Sequence, residues 1–150
     1  MTSFILKLIA CLSMLIDHTG YLFFPDNIIL RYIGRISFPI FAFQISEGFI
    51  HTKNNKRYLL RLFLLAIISQ YPFSLIFQSE KLHLNTIFTL FLGLLSITIY
   101  NKNKTLGMVS AIIFTILASI IHFDYGRIGI LLIVSYYIFR NKKLYLSPSY

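Results

Sequence analysis

The sequence predicts an all-α protein, a polytopic bundle of transmembrane helices. Of its 150 residues, 57% are hydrophobic and only 13% are charged, whereas soluble domains have about 45–50% apolar and about 25% charged residues. The apolar residues form long runs that are separated by brief polar breaks. These runs lack the alternation of polar and apolar residues that a transmembrane β-barrel requires. Helices are therefore the predicted membrane-spanning elements.

Six apolar segments are long enough, or nearly so, to span a bilayer. A hydrocarbon core about 30 Å thick needs roughly 20 helical residues. In chain order, the predicted spans are 4–24, 28–50, 58–77, 82–100, 105–123 and 126–139. The polar breaks between them are 25–27, 51–57, 78–81, 101–104 and 124–125. Because no linker or low-complexity stretch separates the spans, we expect one integral membrane domain over 1–150.

The distribution of Lys and Arg predicts that both termini face the cytoplasm. Six spans place four cations on one side of the membrane: Arg31, Arg35, Lys81 and Arg127. The other side has the remaining ten: Lys7, Lys53, Lys56, Arg57, Arg61, Lys102, Lys104, Arg140, Lys142 and Lys143. By the positive-inside rule, the second side is cytoplasmic. The net charge of +9 is thus attributed to cytoplasmic loops, and nucleic acid is not an expected partner.

The ionisable residues within the predicted spans include Asp17, Arg35, Glu47 and Arg61. Unpaired, they would together cost on the order of 10 kcal/mol in the membrane, so we expect them to pair or to line a hydrated cavity. Asp17 and Arg35 each lie about 10 Å from the end of their span, at 1.5 Å per residue. A short turn joins their two spans, so an ion pair between antiparallel neighbours is expected. Glu47 is expected to pair with Arg57 or Arg61, as a structural or a functional pair.

His18 is the predicted catalytic base. Imidazole titrates near neutral pH and can accept a proton from an amine or a hydroxyl group. Adjacent residues of a helix point about 100° apart, so Asp17 is expected to anchor Arg35, while Asp124 orients His18. A developing oxyanion, or a carboxylate or phosphate of the substrate, would be bound by one of three guanidinium groups: Arg31, Arg35 or Arg127.

Two amides complete the predicted substrate-binding set. Gln70 closes the third predicted span and Asn85 opens the fourth, so both are expected near the outer end of the bundle with Asp124. Helix capping and hydrogen bonding between helices are the alternative roles. The only cysteine is Cys11, and no Cys/His cluster has the spacing of a metal site, so no metal is expected.

A series of segments, taken in order along the chain, resembles the TraX family of membrane proteins. The segments are LKLIA at 6–10, MLIDHTG at 14–20, LRYIGRISFPIFAF at 30–43, SEG at 46–48, RYLLRL at 57–62, SQYPF at 69–73, LNTIFTL at 84–90 and DYGRIG at 124–129. That family is named for a conjugative-plasmid protein implicated in acetylating the N-terminus of F-type pilin. The resemblance implies a multi-pass protein of the bacterial cytoplasmic membrane that takes part in conjugation and uses acetyl-CoA as donor.

The resulting hypothesis is a membrane-embedded acetyltransferase, or another acyltransferase. It would move an acetyl group from cytoplasmic acetyl-CoA to an amine or hydroxyl acceptor at the outer side, such as the N-terminus of a pilin, another exported peptide or a small envelope molecule. The basic segment between the second and third spans, with Glu47 beside it, is expected to bind the donor's phosphates through Lys53, Lys56, Arg57 and Arg61.

Two other functions remain open from the sequence. A small transporter or channel would use the charged cluster as an intramembrane charge relay. A non-catalytic membrane subunit of a secretion or conjugation apparatus would use the same cluster structurally. Polar groups gathered at one end of the bundle favour a one-sided pocket over a continuous pore.

Overall fold

The computed structural model describes residues 3–77 and 83–146, and almost all of these residues are helical. The described residues form seven helices: α1 (Ser3–Phe23), α2 (Ile28–Arg35), α3 (Ser37–His51), α4 (Asn55–Phe77), α5 (Thr86–Lys102), α6 (Lys104–Ile120) and α7 (Gly126–Leu146). Within these ranges the only β-type pairing is an isolated bridge between Leu84 and Phe123. The predicted all-α class is confirmed.

Three helical stretches are long and apolar enough to cross a membrane: Ser3–Phe23, Ile28–His51 and Asn55–Phe77. They match the first three predicted spans. α5 and α6 are apolar but have only 17 residues each, and α5 begins four residues after the predicted start at residue 82, which lies outside the described residues. The count of six spans and the placement of both termini stay predictions.

The second predicted span is interrupted at Ile36, between α2 and α3. There the Ile36 N–H donates to the Ile33 carbonyl at 3.2 Å, a tighter turn than the α-helix, and Ser37 Oγ donates to the Gly34 carbonyl at 2.7 Å. Pro39 follows three residues later. Proline has no N–H for the carbonyl four residues earlier, and its ring crowds that carbonyl, so the helix is interrupted just before it.

The chain divides into two compact units, 1–44 and 45–150. In the first unit, α1 and α2 are antiparallel neighbours, as the sequence predicted. Gly20 of α1 lies against Leu30 of α2, and Asp17 of α1 lies against Gly34 of α2. Gln44 Nε2 donates to the Ser3 carbonyl at 3.2 Å, which ties α3 to the start of α1. The single-domain prediction stays a prediction.

In the second unit, α5 is the central helix and packs against α4, α6 and α7. Its Leu94 and Ile97 are fully buried, as are Ile130 and Ile133 of α7. A side chain at Gly107 would overlap the backbone of Tyr100, at 2.6 Å from its nitrogen, so α5 and α6 meet closely beside their short turn. The outward faces of α4 and α6 are apolar, which suits a lipid-facing surface.

Candidate functional site

The α1–α2 hairpin contains the predicted catalytic group. His18 is half-buried, and its Nδ1 lies 2.7 Å from the carbonyl oxygen of Met14, one turn earlier in α1. A carbonyl oxygen can only accept a hydrogen bond, so Nδ1 has the proton in this arrangement. In the neutral ring, Nε2 is then the nitrogen without a proton. A general base requires such a nitrogen to accept a proton from the acceptor.

Asp17 and Arg31 lie on the same hairpin as His18. The Asp17 side chain packs against Gly34, where the absence of a Cβ allows α1 and α2 to approach. The Arg31 guanidinium carbon lies 5.2 Å from the centre of the Tyr21 ring, a cation–π contact between the two helices. Arg35 lies on the same hairpin with an exposed side chain. The residue that packs against Asp17 is Gly34, the neighbour of Arg35 in the chain. The ion pair between Asp17 and Arg35 stays a prediction.

Gln70 and Asn85 are joined by hydrogen bonds at one end of the second unit. Asn85 N donates to Gln70 Oε1 at 3.0 Å, and Gln70 Nε2 donates to the His83 carbonyl at 2.9 Å. The Asn85 side chain is the N-cap of α5, since its Oδ1 accepts from Ile87 N, and its Nδ2 donates to the Ala66 carbonyl at 3.0 Å. These bonds give both amides the structural role that the sequence left as an alternative. Substrate binding by either amide stays a prediction.

Asp124 lies at the same end of the unit. Its Oδ2 accepts from Thr86 Oγ1 at 2.8 Å, and its carbonyl accepts from Thr89 Oγ1 at 2.6 Å. The two threonines thus fasten the α6–α7 turn to the first turn of α5. We call this end of the second unit, formed by residues 69–70, 83–89 and 118–128, the amide end. Gln70, Asn85 and Asp124 lie at the same end of the unit, as the sequence predicted. The orientation of His18 by Asp124 stays a prediction.

Arg127 is exposed in the first turn of α7. It lines a cleft of about 310 Å³ at the amide end, together with His83 and His122. Neither histidine is among the candidate site residues predicted from the sequence. Their proximity depends on the pairing of two loops 38 residues apart, as the Thr86–Asp124 bond reflects.

Glu47 pairs with Arg140 at the opposite end of the second unit. Arg140 Nε donates to Glu47 Oε1 at 2.6 Å, and His51 Nδ1 lies 3.9 Å from Glu47 Oε2. The sequence favoured Arg57 and Arg61 as partners. Both are exposed, because α4 turns the face with Leu62 and Ala66 inward. Arg140 was missed as a site residue, since 93 residues separate it from Glu47 and no local pattern connects them.

Contacts around Tyr137 place Arg140 beside Glu47. The Tyr137 ring lies edge-on to Phe49 of α3 at 5.3 Å, and its hydroxyl donates to Asn101 Oδ1 at 3.1 Å. The turn from α3 to α4 is at this end too. This turn and the start of α4 expose the four predicted cofactor-binding cations, Lys53, Lys56, Arg57 and Arg61. We call this end, formed by residues 47–61, 100–104 and 137–140, the basic end.

The amino-acid sequence matches the TraX protein family over residues 3–149, nearly its whole length. The chain belongs to this family. The probable fimbrial assembly protein FimC, serogroup H1, of Dichelobacter nodosus is 32% identical over 139 residues, which cover 83% of this chain and 57% of FimC. The uncharacterized protein RP591 of Rickettsia prowazekii (strain Madrid E) is 25% identical over 145 residues, which cover 93% of this chain and 56% of RP591. No solved structure matches the chain.

The TraX match includes the α1–α2 hairpin, the amide end and the basic end. The resemblance inferred from the sequence is therefore confirmed at the level of the family. The chain spans about half the length of the two curated relatives. Three helices long and apolar enough to cross a bilayer agree with a membrane protein.

Asn85→Ala is expected to destabilise the TraX-family fold at the amide end by about 3 kcal/mol. The change removes an N-cap, worth about 0.5–2 kcal/mol, and deprives buried groups of partners at about 1–3 kcal/mol. Asn85 is only 4% exposed, so water cannot replace those bonds. Unfolding free energy, measured by SDS titration in mixed micelles, checks the expectation.

Asn103→Ala is the matched control for Asn85. Asn103 caps α6 through one bond to Leu106 N at 3.2 Å, and its side chain is exposed. It is expected to lose only about 1 kcal/mol, the ordinary worth of a cap. Equal losses in the two variants would show that the hydrogen bond from Asn85 Nδ2 to the Ala66 carbonyl contributes nothing.

Proposed function

We propose that this TraX-family chain is a multi-pass protein of the bacterial cytoplasmic membrane that transfers an acetyl group from acetyl-CoA to an amine or hydroxyl acceptor. The observation that supports this most directly is the hydrogen bond between His18 Nδ1 and the Met14 carbonyl. That bond makes Nε2 the basic nitrogen of the neutral ring. Asp17 and Arg31 on the same hairpin supply the charges that acyl transfer requires.

The proposed step is direct transfer without a covalent enzyme intermediate. The acceptor nitrogen or oxygen attacks the thioester carbonyl carbon and forms the new C–N or C–O bond. His18 Nε2 takes the acceptor's proton, and Arg31 or Arg35 stabilises the developing oxyanion. The C–S bond then breaks, and the departing thiolate takes the proton back from His18. Atoms and charges balance without a metal or an oxidant.

The donor is proposed to bind through the cations of the basic end. Coenzyme A is rich in phosphate, and Arg and Lys bind phosphate by charge-assisted hydrogen bonds. The exposed cations of the α3–α4 turn and the start of α4 are the proposed contacts: Lys53, Lys56, Arg57 and Arg61. Glu47 is paired with Arg140. Its carboxylate therefore does not compete with the donor's phosphates for the four cations.

The acceptor is proposed to be the N-terminal amine of a pilin-like or other exported subunit at the outer side of the membrane. The relative in Dichelobacter nodosus is named as a probable fimbrial assembly protein, which supports an acceptor of that class. An amine must lose a proton when it becomes an amide, and His18 is the group proposed to accept it.

The experiment is acetyl transfer in reconstituted vesicles. The chain is mixed with labelled acetyl-CoA and a peptide with a free N-terminal amine, and the products are identified by mass spectrometry. We expect acetylated peptide only when the chain is present, and none from the same peptide with a blocked N-terminus and no other nucleophile. A folded, inserted chain that yields ion flux but no acetylated product would replace the transferase proposal with the transporter alternative.

A further inference from the structure

The cleft at the amide end has the character of an anion site. It has a volume of about 310 Å³ and lies between the α6–α7 turn and the segment that precedes α5. Its lining combines three nitrogen-bearing side chains with an apolar wall: His83, His122 and Arg127 against Ala118, Phe123 and Ile128. We propose that this cleft binds a phosphate group, specifically that of a phospholipid headgroup.

The charges around the cleft favour an anion. The Arg127 guanidinium is permanently charged and presents a planar fork that matches phosphate oxygens. Imidazole N–H groups add further donors. The first turn of α7, with Gly126, also lines the cleft, and the start of a helix has a partial positive charge. None of the lining residues described is an aspartate or a glutamate.

The nearest acid in the turn, Asp124, is engaged elsewhere. Its carboxylate accepts the hydrogen bond from Thr86 Oγ1 at 2.8 Å, and it does not line the cleft. The one lining serine, Ser119, donates its hydroxyl proton to the Thr115 carbonyl at 2.8 Å, so its oxygen contributes little to the recognition of an anion. The recognition is therefore assigned mainly to the two imidazoles and the guanidinium group, with the Tyr125 hydroxyl as a further polar group in the lining.

The backbone holds the two histidines next to each other. Leu84 and Phe123 form a parallel bridge, and Asp124 N donates to the Leu84 carbonyl at 3.0 Å. His83 and His122 each immediately precede a bridged residue, so the pairing of the two loops carries both imidazoles to the same cleft.

The α6–α7 turn fixes His122 further. Phe123 N donates to the Ala118 carbonyl at 2.9 Å, which closes α6 with the hydrogen bond of a Schellman motif. His122 has φ +60°, at the position where this motif usually has glycine. His122 therefore places an imidazole at a position where the backbone conformation favours glycine.

The borders of the cleft match a lipid ligand. Ile128 lines the cleft and is 72% exposed, and Ile120 just before the turn is 66% exposed. These side chains continue the apolar outer face of α6, while the cleft itself lies where apolar helices end. Headgroups lie at that level of a bilayer, and their acyl chains extend along such a face. A lipid phosphate therefore satisfies the polar and the apolar borders together.

The test is native mass spectrometry of the detergent-purified chain titrated with phosphatidylglycerol. Diacylglycerol, which has the same acyl chains without a phosphate, is titrated in parallel. The buffer is about 0.5 M ammonium acetate, because a Debye length of only a few ångströms suppresses diffuse attraction while direct contacts persist. We expect phosphatidylglycerol to bind at least tenfold more tightly than diacylglycerol, from a charge-assisted contact.

Two variants and one control assign the binding to the cleft. Arg127→Gln is expected to weaken phosphatidylglycerol binding roughly tenfold. His122→Gly is expected to weaken it severalfold while the melting temperature stays equal or rises, because glycine accepts a positive φ without strain. That variant therefore separates binding from folding. Lys102→Gln removes one cation from the basic end, and its affinity is expected to stay within about twofold of the wild type, because salt screens distant charges.

Inorganic phosphate distinguishes the two sources of the ligand. If it fails to displace phosphatidylglycerol, the headgroup is the ligand. If it binds and displaces the lipid, and Arg127→Gln weakens both, the phosphate site stands and the lipid assignment falls. Binding that is equal for both lipids, or unchanged in Arg127→Gln and His122→Gly, would overturn the proposal. None of these measurements uses His18 or acetyl-CoA, so the result is independent of the transferase proposal.

Discussion

Gly34→Ala is expected to disrupt the α1–α2 hairpin, at a cost of about 3 kcal/mol, the upper part of the range for overpacking. A Cβ at Gly34 would lie 2.6 Å from Asp17 Cγ and 2.8 Å from Asp17 Cα. The second of these atoms belongs to the backbone of α1, so no rotamer change can relieve the overlap. The two helices would have to separate. Alanine gains about 1 kcal/mol of helix propensity over glycine, which is too little to offset that separation.

Gly48→Ala is the matched control for Gly34→Ala. It makes the same chemical change within a helix, but the new methyl group would meet the hydroxyl oxygen of Tyr58 at 2.6 Å. That atom is the far end of a side chain that can rotate, so little loss is expected. Hydrogen exchange of residues 3–44 in nanodiscs checks the difference. Protection there is expected to fall in Gly34→Ala and to persist in Gly48→Ala, and equal protection in both would contradict the observed contact between α1 and α2.

The antiparallel pairing of α1 and α2 was predictable because it follows from local sequence. A turn of only four residues, 24–27, joins two apolar helices, and two such helices have little choice but to lie side by side. The residue at the contact was less predictable. Charge pairing pointed to Arg35 as the partner of Asp17, which stays a prediction, and the structure places Gly34 against Asp17. Close packing of backbones selects the smallest residue, and Arg35 is rotated about 100° from it.

The contacts of the second unit show where sequence reasoning ends. The gathering of Gln70, Asn85 and Asp124 followed from counting spans, since alternate turns meet at one end. The hydrogen bonds among them depend on side-chain geometry that no spacing encodes. The two residues of the Glu47–Arg140 pair are 93 positions apart in the sequence. His122 has a positive φ, which its residue type does not predict. Such features depend on tertiary packing, which local patterns cannot specify.

His18→Asn is expected to lower acetyl transfer by about 10²- to 10⁴-fold, the usual worth of a general base. Asparagine Nδ2 occupies nearly the place of imidazole Nδ1, so it preserves the bond to the Met14 carbonyl. The variant removes Nε2, the atom proposed to accept the proton. Since a general base acts in the transition state and not in donor binding, kcat is expected to fall while KM for acetyl-CoA changes little.

His51→Asn is the matched control for His18→Asn, because the two histidines make the same local bond. His51 Nδ1 lies 2.9 Å from the carbonyl of Glu47, four residues earlier, as His18 does from Met14. If loss of an imidazole harmed the protein through helix stability alone, the two variants would lose activity alike. We expect His51→Asn to retain turnover within about twofold of the wild type. Initial rates over a range of acetyl-CoA concentrations in reconstituted vesicles separate kcat from KM for both variants.

The kcat and KM values of His18→Asn and His51→Asn together show whether His18 is the general base. If His18→Asn acetylates the peptide at the full rate, His18 of the α1–α2 hairpin is not the group that accepts the proton. The proposal that the chain is an acetyltransferase would be unaffected by that result. A rise in KM at constant kcat would instead make His18 a group that binds substrate, because it would contribute equally before and during the reaction. Only a fall in kcat that His51→Asn does not share assigns the proton to Nε2 of His18. The hypothesis that this nitrogen is Nε2 is based on one hydrogen bond, in which the Met14 carbonyl oxygen accepts from Nδ1.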